Sequence, residues 1–236
     1  MQVFRRATTL ASLLLCVLAA CALTQSVKDV PESGFLGDYS RLHKGGDGQA
    51  ELIYVSPGVD WKNYDKILLD PVTVWRTVKS EDKGVSQHDA QAMANYLYGL
   101  IYARFSKQFE MVHDPQPNTL RVAVALTQLG KEDVVLDVIS TVEPHVRAAT
   151  SLYQLVSGEP TFEGEAAIEG RVTDAMTGEL LAEGVDKRVG ERTLNSRSLK
   201  NWGDVENTMQ FWVARSAYNL CRQQEHNDCQ KPQVSG

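Results

Sequence analysis

The sequence has no hydrophobic run long enough to cross a lipid bilayer. A transmembrane helix needs roughly 20 consecutive apolar residues, and the longest apolar run, residues 10–20, is about half that length. The run contains Ser12 and is soon followed by the polar residues Gln25, Lys28 and Asp29. It therefore favours an N-terminal segment that is removed, rather than an uncleaved anchor or a buried helix.

Basic residues are scarce relative to acidic ones. The chain has 24 Lys and Arg against 30 Asp and Glu. Residues 1–20 hold two of the basic residues, Arg5 and Arg6, and none of the acidic ones, so residues 21–236 carry 22 against 30, a formal charge of −8. A surface that binds a phosphate backbone would need a basic footprint, so we expect no nucleic-acid partner.

Motifs for nucleotide binding and nucleophilic catalysis are missing. The sequence has no Gly-x-Gly-x-x-Gly, no phosphate-binding loop and no Gly-x-Ser-x-Gly. The five histidines are scattered, and no two of them lie four residues apart, so their spacing recommends no metal site. Ser80 and Lys83 have Ser-x-x-Lys spacing, but in a charged loop the match is best explained by chance. We therefore predict no catalytic residue, no metal and no cofactor.

Carboxylates offer the one alternative chemistry. Asp174, Asp186 and the glutamates of residues 163–169 could pair as general acid and base. A structural interpretation competes with this one. Asp174 precedes a turn, where its side chain can accept backbone hydrogen bonds, and the glutamates alternate with apolar residues as on the solvated face of a strand.

The N-terminus resembles that of bacterial lipoproteins. Arg5 and Arg6 precede the apolar run, as in a secretory signal peptide. The run ends in Leu-Ala-Ala-Cys at residues 18–21, which resembles a lipobox. The resemblance implies cleavage between Ala20 and Cys21 and attachment of a diacylglyceryl group to the Cys21 thiol. Residues 1–20 are therefore predicted to be a signal peptide.

Acylation of Cys21 would make the membrane a partner of an otherwise water-soluble domain. One myristoyl chain gives only reversible binding, whereas two or three chains anchor a protein stably. Ala22 follows the cysteine, where an Asp would imply retention in the inner membrane in enterobacteria. By this resemblance the protein is expected at the outer membrane, facing the periplasm.

The four cysteines divide into two pairs with different fates. Cys16 would leave with the signal peptide and Cys21 would be acylated, which leaves Cys221 and Cys229. Disulfides form outside the cytoplasm, so we predict a Cys221–Cys229 bridge. Closing so short a loop would stabilise the fold by roughly 2–3 kcal/mol on the chain-entropy model. A reduced pair too far apart to join is the alternative.

The remaining chain divides into a tether and one folded domain. Residues 21–33 are polar and contain Pro31, which is typical of a tether. Residues 34–42 carry apolar side chains at helix-like spacing and indicate a segment that docks on the domain. Residues 34–236 have the length of a single globular domain.

Periodicity predicts an α/β or α+β fold, with a mixed sheet of five or six strands and about three helices. Alternation over residues 161–189, with a turn at Gly178, predicts an antiparallel hairpin with one solvated face. Apolar spacing, caps and Pro or Gly boundaries predict helices at 87–109, 144–158 and 202–222. Strands are also predicted at 51–57, 66–75, 109–115, 119–129 and 133–142. The buried face of the last helix is predicted to hold Val205, Met209, Trp212, Val213, Ser216 and Leu220.

Several segments, in order, resemble a known family. They are SGFLGDYSRL, VDWKNYDKILLDPV, IEGRVTDAMTGELLAEGVDKRVG and NWGDVENTMQFWVARSAYNL. Together they are similar to the bacterial lipoproteins of domain-of-unknown-function family 3313. The resemblance implies a lipidated envelope protein and brings no activity, cofactor or catalytic residue with it.

Three functions are compatible with these observations. The first is a non-enzymatic, lipid-anchored module that contacts other envelope proteins. The second is an envelope hydrolase or transferase that uses buried carboxylates, which would need a deep pocket holding two carboxyl groups of divergent pKa. The third is a carrier of a small ligand or lipid, which would need an apolar cavity of roughly 300 Å³ or more.

Overall fold

One mixed β-sheet with two helices against one face forms the described part of the protein. The computed structural model describes residues 24–26, 32–75, 85–129, 165–190 and 203–232. The strands are β1 (Thr24–Ser26), β2 (His43–Lys44), β3 (Leu52–Val55), β4 (Lys66–Leu69), β5 (Thr73–Val74), β6 (Glu110–Val112), β7 (Thr119–Leu129), β8 (Glu165–Asp174) and β9 (Leu180–Gly190). The helices are α1 (Gln87–Phe105), α2 (Gly203–Gln223) and a 3-10 turn, Trp61–Asn63.

The sheet has a long antiparallel centre and short parallel strands on one side. The order is β2-β3-β9-β8-β7-β4-β6, with β1 beside β9 and β5 beside β7. Strands β4, β5 and β6 join by parallel pairing. The prediction of five or six strands was wrong, since nine strands lie within the described residues. The strands that were missed, β1 and β2, have three and two residues, too few to show a period of two.

The predicted hairpin is confirmed as β8 and β9. Their register pairs Glu165 with Val189 and continues to the turn, with an irregularity after Val172. The turn needs Gly178, whose φ of 73° lies in the left-handed region that residues with a Cβ seldom adopt. The predicted strand at 66–75 is also present, but it is broken into β4 and β5 beside Pro71, which has no backbone N–H to donate.

Helix α1 begins where its sequence predicts. The Ser86 hydroxyl accepts a hydrogen bond from the backbone N–H of Asp89 at 3.0 Å, which caps the first turn. The helix ends at Phe105, four residues before the predicted end at 109. Phe109 is nevertheless buried, because the chain turns after Ser106 and carries Phe109 into the core just ahead of β6.

Helix α2 matches its predicted span of 202–222 to within one residue at each end. Its buried face differs from the prediction at one turn. Ser216 is exposed, while Arg215 and Ala217 on either side of it are buried. Arg215 is buried because it pairs with a carboxylate beneath the helix. The predicted helix at 144–158 and the predicted strand at 133–142 lie outside the described residues.

The Cys221–Cys229 disulfide is present at the end of α2. The two Cα atoms are 5.7 Å apart, and Cys221 is buried. The bridge ties residues 224–229 back onto the last turn of the helix. Within the residues that the structure describes, no helix has the length and apolar character needed to cross a membrane.

Candidate functional site

A cavity of about 370 Å³ lies between the two helices and the centre of the sheet. On the sheet side it is lined by Val122, Ile168, Val172 and Ala182, which face the helices yet remain only half-buried. Side chains at such central positions would be sealed if the helices packed directly on them. Further apolar lining comes from Ile53, Val55, Trp61, Leu97, Ile101, Phe105, Val213 and Leu220.

The cavity opens beside the C-terminal half of α2. Ser216, Arg222 and Gln223 line it and are exposed, so its mouth lies along this stretch of the helix. The opposite side of the mouth is the loop at residues 46–50. The Arg215 guanidinium donates a hydrogen bond to the Gln49 carbonyl at 3.1 Å, which holds that loop against the helix. The mouth is therefore polar, whereas the interior is apolar.

A buried charge network closes one end of the cavity. Asp186 on β9 is 1% exposed and lies beneath α2. Its Oδ2 accepts hydrogen bonds from Trp212 Nε1 at 2.6 Å and Arg188 Nε at 3.1 Å, and it lies 3.0 Å from Nη1 of Arg215. Its Oδ1 accepts from the Glu51 backbone N–H at 3.1 Å. Both oxygens are thus occupied, so the carboxylate fastens α2 and the start of β3 to β9.

The two arginines of this network share an aromatic surface. The Arg188 guanidinium carbon lies 3.9 Å from the ring centroid of Phe211, and that of Arg215 lies 5.3 Å from it. Burial lowers the pKa of Arg215, and the nearby Asp186 carboxylate opposes that shift. An arginine pKa starts so high that the side chain stays a cation at neutral pH. This network was not predicted from the sequence, although a charged residue three positions after Trp212 on an apolar helix face was a signal for it.

The structure places the predicted carboxylates in separate environments. Asp174 begins the β8–β9 turn and accepts hydrogen bonds from the Met176 and Thr177 backbone N–H groups, at 2.8 Å each, and from the Tyr64 hydroxyl at 3.0 Å. Burial opposes ionisation of Asp174, but these hydrogen bonds outweigh it and lower its pKa. Burial, followed by the hydrogen bond to Asp174, raises the pKa of Tyr64 to about 12. Asp174 and Asp186 are therefore held by different partners and do not form an acid–base pair.

The other face of the β8–β9 hairpin is covered, contrary to the expectation of a solvated face. Glu169 on β8 is 0% exposed. Its Oε1 accepts the Ser33 backbone N–H at 2.9 Å, and its Oε2 accepts the Tyr39 hydroxyl at 2.6 Å. Alternation of polar and apolar residues identified the two faces correctly, but it could not show that another segment covers the polar one.

The covering segment consists of residues 33–42, as the expected docking segment at 34–42 suggested. Leu36 is buried, and Phe35 makes an edge-to-face contact with Trp75 at 5.5 Å between ring centroids. The Trp75 indole N–H donates to the Ser33 carbonyl at 3.2 Å. Nearby, Glu183 is 6% exposed, and burial raises its pKa although Arg171 opposes the shift.

Replacing Tyr39 with phenylalanine is expected to destabilise the fold. The variant leaves one oxygen of a fully buried carboxylate without its hydroxyl donor, and a hydrogen bond to a charged group contributes about 1.5–3 kcal/mol. The difference would be measured as a lower urea midpoint. Tyr102→Phe is the matched control, because Tyr102 is 39% exposed on α1 and should leave the midpoint unchanged. Equal midpoints for both variants would show that the segment contributes nothing through Glu169.

Two of the predicted site residues, Ala20 and Cys21, lie outside the described residues. Strand β1 begins three residues after Cys21 and pairs with Gly190, Val189 and Arg188 of β9. Part of the predicted tether at 21–33 is therefore a strand of the sheet. Among the described residues, no three of the His, Cys, Asp and Glu side chains come together as a group that could hold a metal ion.

The proteins that this chain is similar to include one that is named a lipoprotein. A chain named "Uncharacterized lipoprotein YdcL" from Escherichia coli K12 is 27% identical over 199 residues, which cover 83% of this chain and 86% of that protein. The PelC dodecamer from Paraburkholderia phytofirmans has 8% identity and a TM-score of 0.38, covering 75% of this chain and 98% of that one. Protein XCC0632 from Xanthomonas campestris has 7% identity and a TM-score of 0.39, covering 73% and 94%.

The structural likenesses are too weak to carry an argument about assembly or ligand. The sequence comparison is more decisive. Residues 31–216 match the family model described as "Protein of unknown function (DUF3313)". Since this match spans most of the chain and the similar E. coli protein is named a lipoprotein, the chain belongs to the DUF3313 family of lipoproteins.

Proposed function

We propose that this protein is a non-enzymatic, lipid-anchored binding module of the bacterial envelope, and that its cavity takes up one apolar chain, such as the acyl chain of a lipid or fatty acid. The cavity carries the proposal. Its volume of about 370 Å³ falls at the lower end of the roughly 300–1,000 Å³ typical of small-ligand pockets. It also exceeds the roughly 300 Å³ that a carrier would need.

The lining supports a chain-like ligand with one polar end. Each methylene moved from water into the apolar interior would contribute about 0.8 kcal/mol. The polar residues at the mouth, Ser216, Asn219 and Gln223, could contact a headgroup that stays near water. The charged residues that line the cavity deeper in include Asp186 and Arg215, and the oxygens of Asp186 already accept hydrogen bonds from Trp212, Arg188 and the Glu51 backbone.

The carboxylates favour binding over hydrolysis. A general base needs a free lone pair within reach of a substrate proton. Asp186 faces the cavity with both oxygens engaged, Asp174 is bonded within its turn, and Glu169 is covered by the docking segment. Glu183 differs from them, because it also lines the cavity and its buried Oε2 has no hydrogen-bond partner within the described residues. The support for a non-enzymatic role therefore comes from Asp186, Asp174 and Glu169. Contact with other envelope proteins stays a prediction, and crosslinking in intact cells followed by mass spectrometry is its test.

Filling the cavity should weaken ligand binding while the fold is kept. Ala182 lies half-buried on the cavity floor, so Ala182→Leu adds volume where a ligand would lie. Ala103→Leu makes the same change on the exposed surface of α1 and is the matched control. Palmitate would be titrated into each purified protein and followed by calorimetry, with native mass spectrometry to count bound molecules.

We expect one palmitate per chain for the unaltered protein and for Ala103→Leu, and at least a tenfold weaker affinity for Ala182→Leu. Circular dichroism and the urea midpoint would establish that both variants are folded. Binding of the same strength in the unaltered protein and Ala182→Leu would place any palmitate outside the cavity. Failure of the unaltered protein to bind palmitate, and to carry any co-purified lipid, would remove the proposed function.

A further inference from the structure

We infer that one end of the domain faces the bilayer at short range and that the opposite end points away from it. The anchor end is defined as the end of the sheet at Leu129, Glu165 and Gly190. The turn end is defined by the β8–β9 turn at residues 175–179. The inference rests on the proposed acylation of Cys21 and goes beyond it, because an acylated cysteine by itself leaves the orientation of the domain free.

The chain between the anchor and the sheet is very short. Thr24 pairs with Gly190, the last residue of β9, so the sheet begins three residues after Cys21. Three residues span at most about 10 Å when fully extended. Thr24, which lies beside Gly190 in the sheet, therefore cannot move more than about that distance from the acylated residue at the bilayer surface. A tether running through residues 21–33 without structure would have allowed several times that distance.

The elements of the domain run between the two ends. Leu129 pairs with Ala166 and Glu165 pairs with Val189, so β7, β8 and β9 meet at the anchor end. The ten residues of β8 then extend for about 33 Å towards the turn end. Met176 lies in the turn at the end of this length and is 58% exposed, so it is a marker of the turn end.

The helices run in the same direction. Gln224, just after α2, donates hydrogen bonds to the carbonyls of Trp61 and Tyr64, and Tyr64 bonds Asp174 at the turn end. Helix α1 likewise leads into β6, whose first residue is hydrogen-bonded to the Asp65 carbonyl. The first turn of each helix therefore lies towards the anchor end. His88, in the first turn of α1, has a side chain that is 94% exposed.

The test is a depth measurement on the acylated protein in vesicles of phosphatidylethanolamine and phosphatidylglycerol that carry a spin-label quencher on the headgroup. A single cysteine would be introduced as His88→Cys or Met176→Cys and coupled to a fluorophore. The Cys21 thiol is blocked by its lipid and Cys221 is bonded to Cys229, so only the new thiol reacts. Both positions are exposed, so neither substitution disturbs the core.

We expect quenching at His88 to exceed quenching at Met176 by at least threefold. Equal quenching at the two positions, or stronger quenching at Met176, would overturn the inference. Insertion of a 20-residue Gly-Ser linker after Leu23 should abolish the difference, because such a linker spans about 25 Å on average. A difference that survives the linker would overturn the role of the short link. Intact-mass analysis comes first, and a chain without acyl mass would refute the anchor itself rather than the orientation alone.

Discussion

Replacing Asp186 with alanine is expected to lower the free energy of unfolding by about 3–5 kcal/mol, because it removes the carboxylate from a buried ion cluster and leaves its cations behind. Arg188 and Arg215 have side chains that are 10% and 6% exposed, so solvent screens them little. The indole N–H of Trp212 would lose its acceptor at the same time. The loss would appear as a lower urea midpoint with an unchanged slope.

The matched control for this prediction is Asp70→Ala. Asp70 forms an ion pair with Arg121 at 2.9 Å, but the two side chains are 25% and 53% exposed. A pair in contact with water contributes about 0.2–1 kcal/mol, so this variant should be only slightly destabilised. Asp186→Asn keeps the shape of the side chain and removes only its charge, so its free energy of unfolding should also be well below that of the unaltered protein. Similar losses for Asp70→Ala and Asp186→Ala would refute the role given to the buried network.

The second large effect is expected for Cys21→Ser. Serine cannot accept the thioether-linked diacylglyceryl group, so the signal peptide should remain attached or the product should carry no lipid. A single myristoyl chain binds a bilayer with a constant of only about 10⁴ M⁻¹, and removal of every chain should leave most of the processed protein in the soluble fraction. Fractionation on a density gradient would report the loss, and the unaltered protein should migrate with outer-membrane markers.

Cys16→Ser is the control for the acylation prediction. Cys16 lies in the segment predicted to be removed, so its replacement should change neither processing nor the mass of the mature chain. Intact-mass spectrometry would compare the two variants with the unaltered protein. If processed Cys21→Ser protein stayed in the membrane fraction as the unaltered protein does, a different anchor would have to exist.

Most of the long elements were predictable from local signals. Ser86 caps α1 as its sequence indicates, and the alternation in residues 165–189 defines β8 and β9 with the correct pairing. The end of α1 was not predictable, because Phe109 continues the helical spacing while the backbone has already turned towards β6. Strands as short as His43–Lys44 exist only because β3 is beside them, so no local pattern marks them.

The candidate site was far less predictable than the fold. Glu169 has the sequence signature of a solvated glutamate and is fully buried, because residues 33–42 fold over it from more than 120 positions away. Arg215 lies three positions after Trp212 on the apolar face of α2, but the sequence does not show which carboxylate pairs with it; that carboxylate is Asp186, beneath this turn of the helix. In each case the partner is distant in the chain, and its position cannot be deduced from spacing.

The sequence alone determined what depends on neighbouring residues: the lipobox-like segment that ends at Cys21, the Cys221–Cys229 pair with a short loop between them, and the amphipathic or alternating patterns of α1, α2, β8 and β9. These signals are local, since peptidase recognition, closure of a short loop and secondary-structure periodicity each involve residues close in sequence. Only the tertiary structure decided where β1 joins the sheet, which charges are buried, and that a largely apolar cavity lies between the helices and β7, β8 and β9. The physical reason is that burial and cavity volume depend on how well surfaces from distant segments fit together, and no stretch of sequence contains both surfaces.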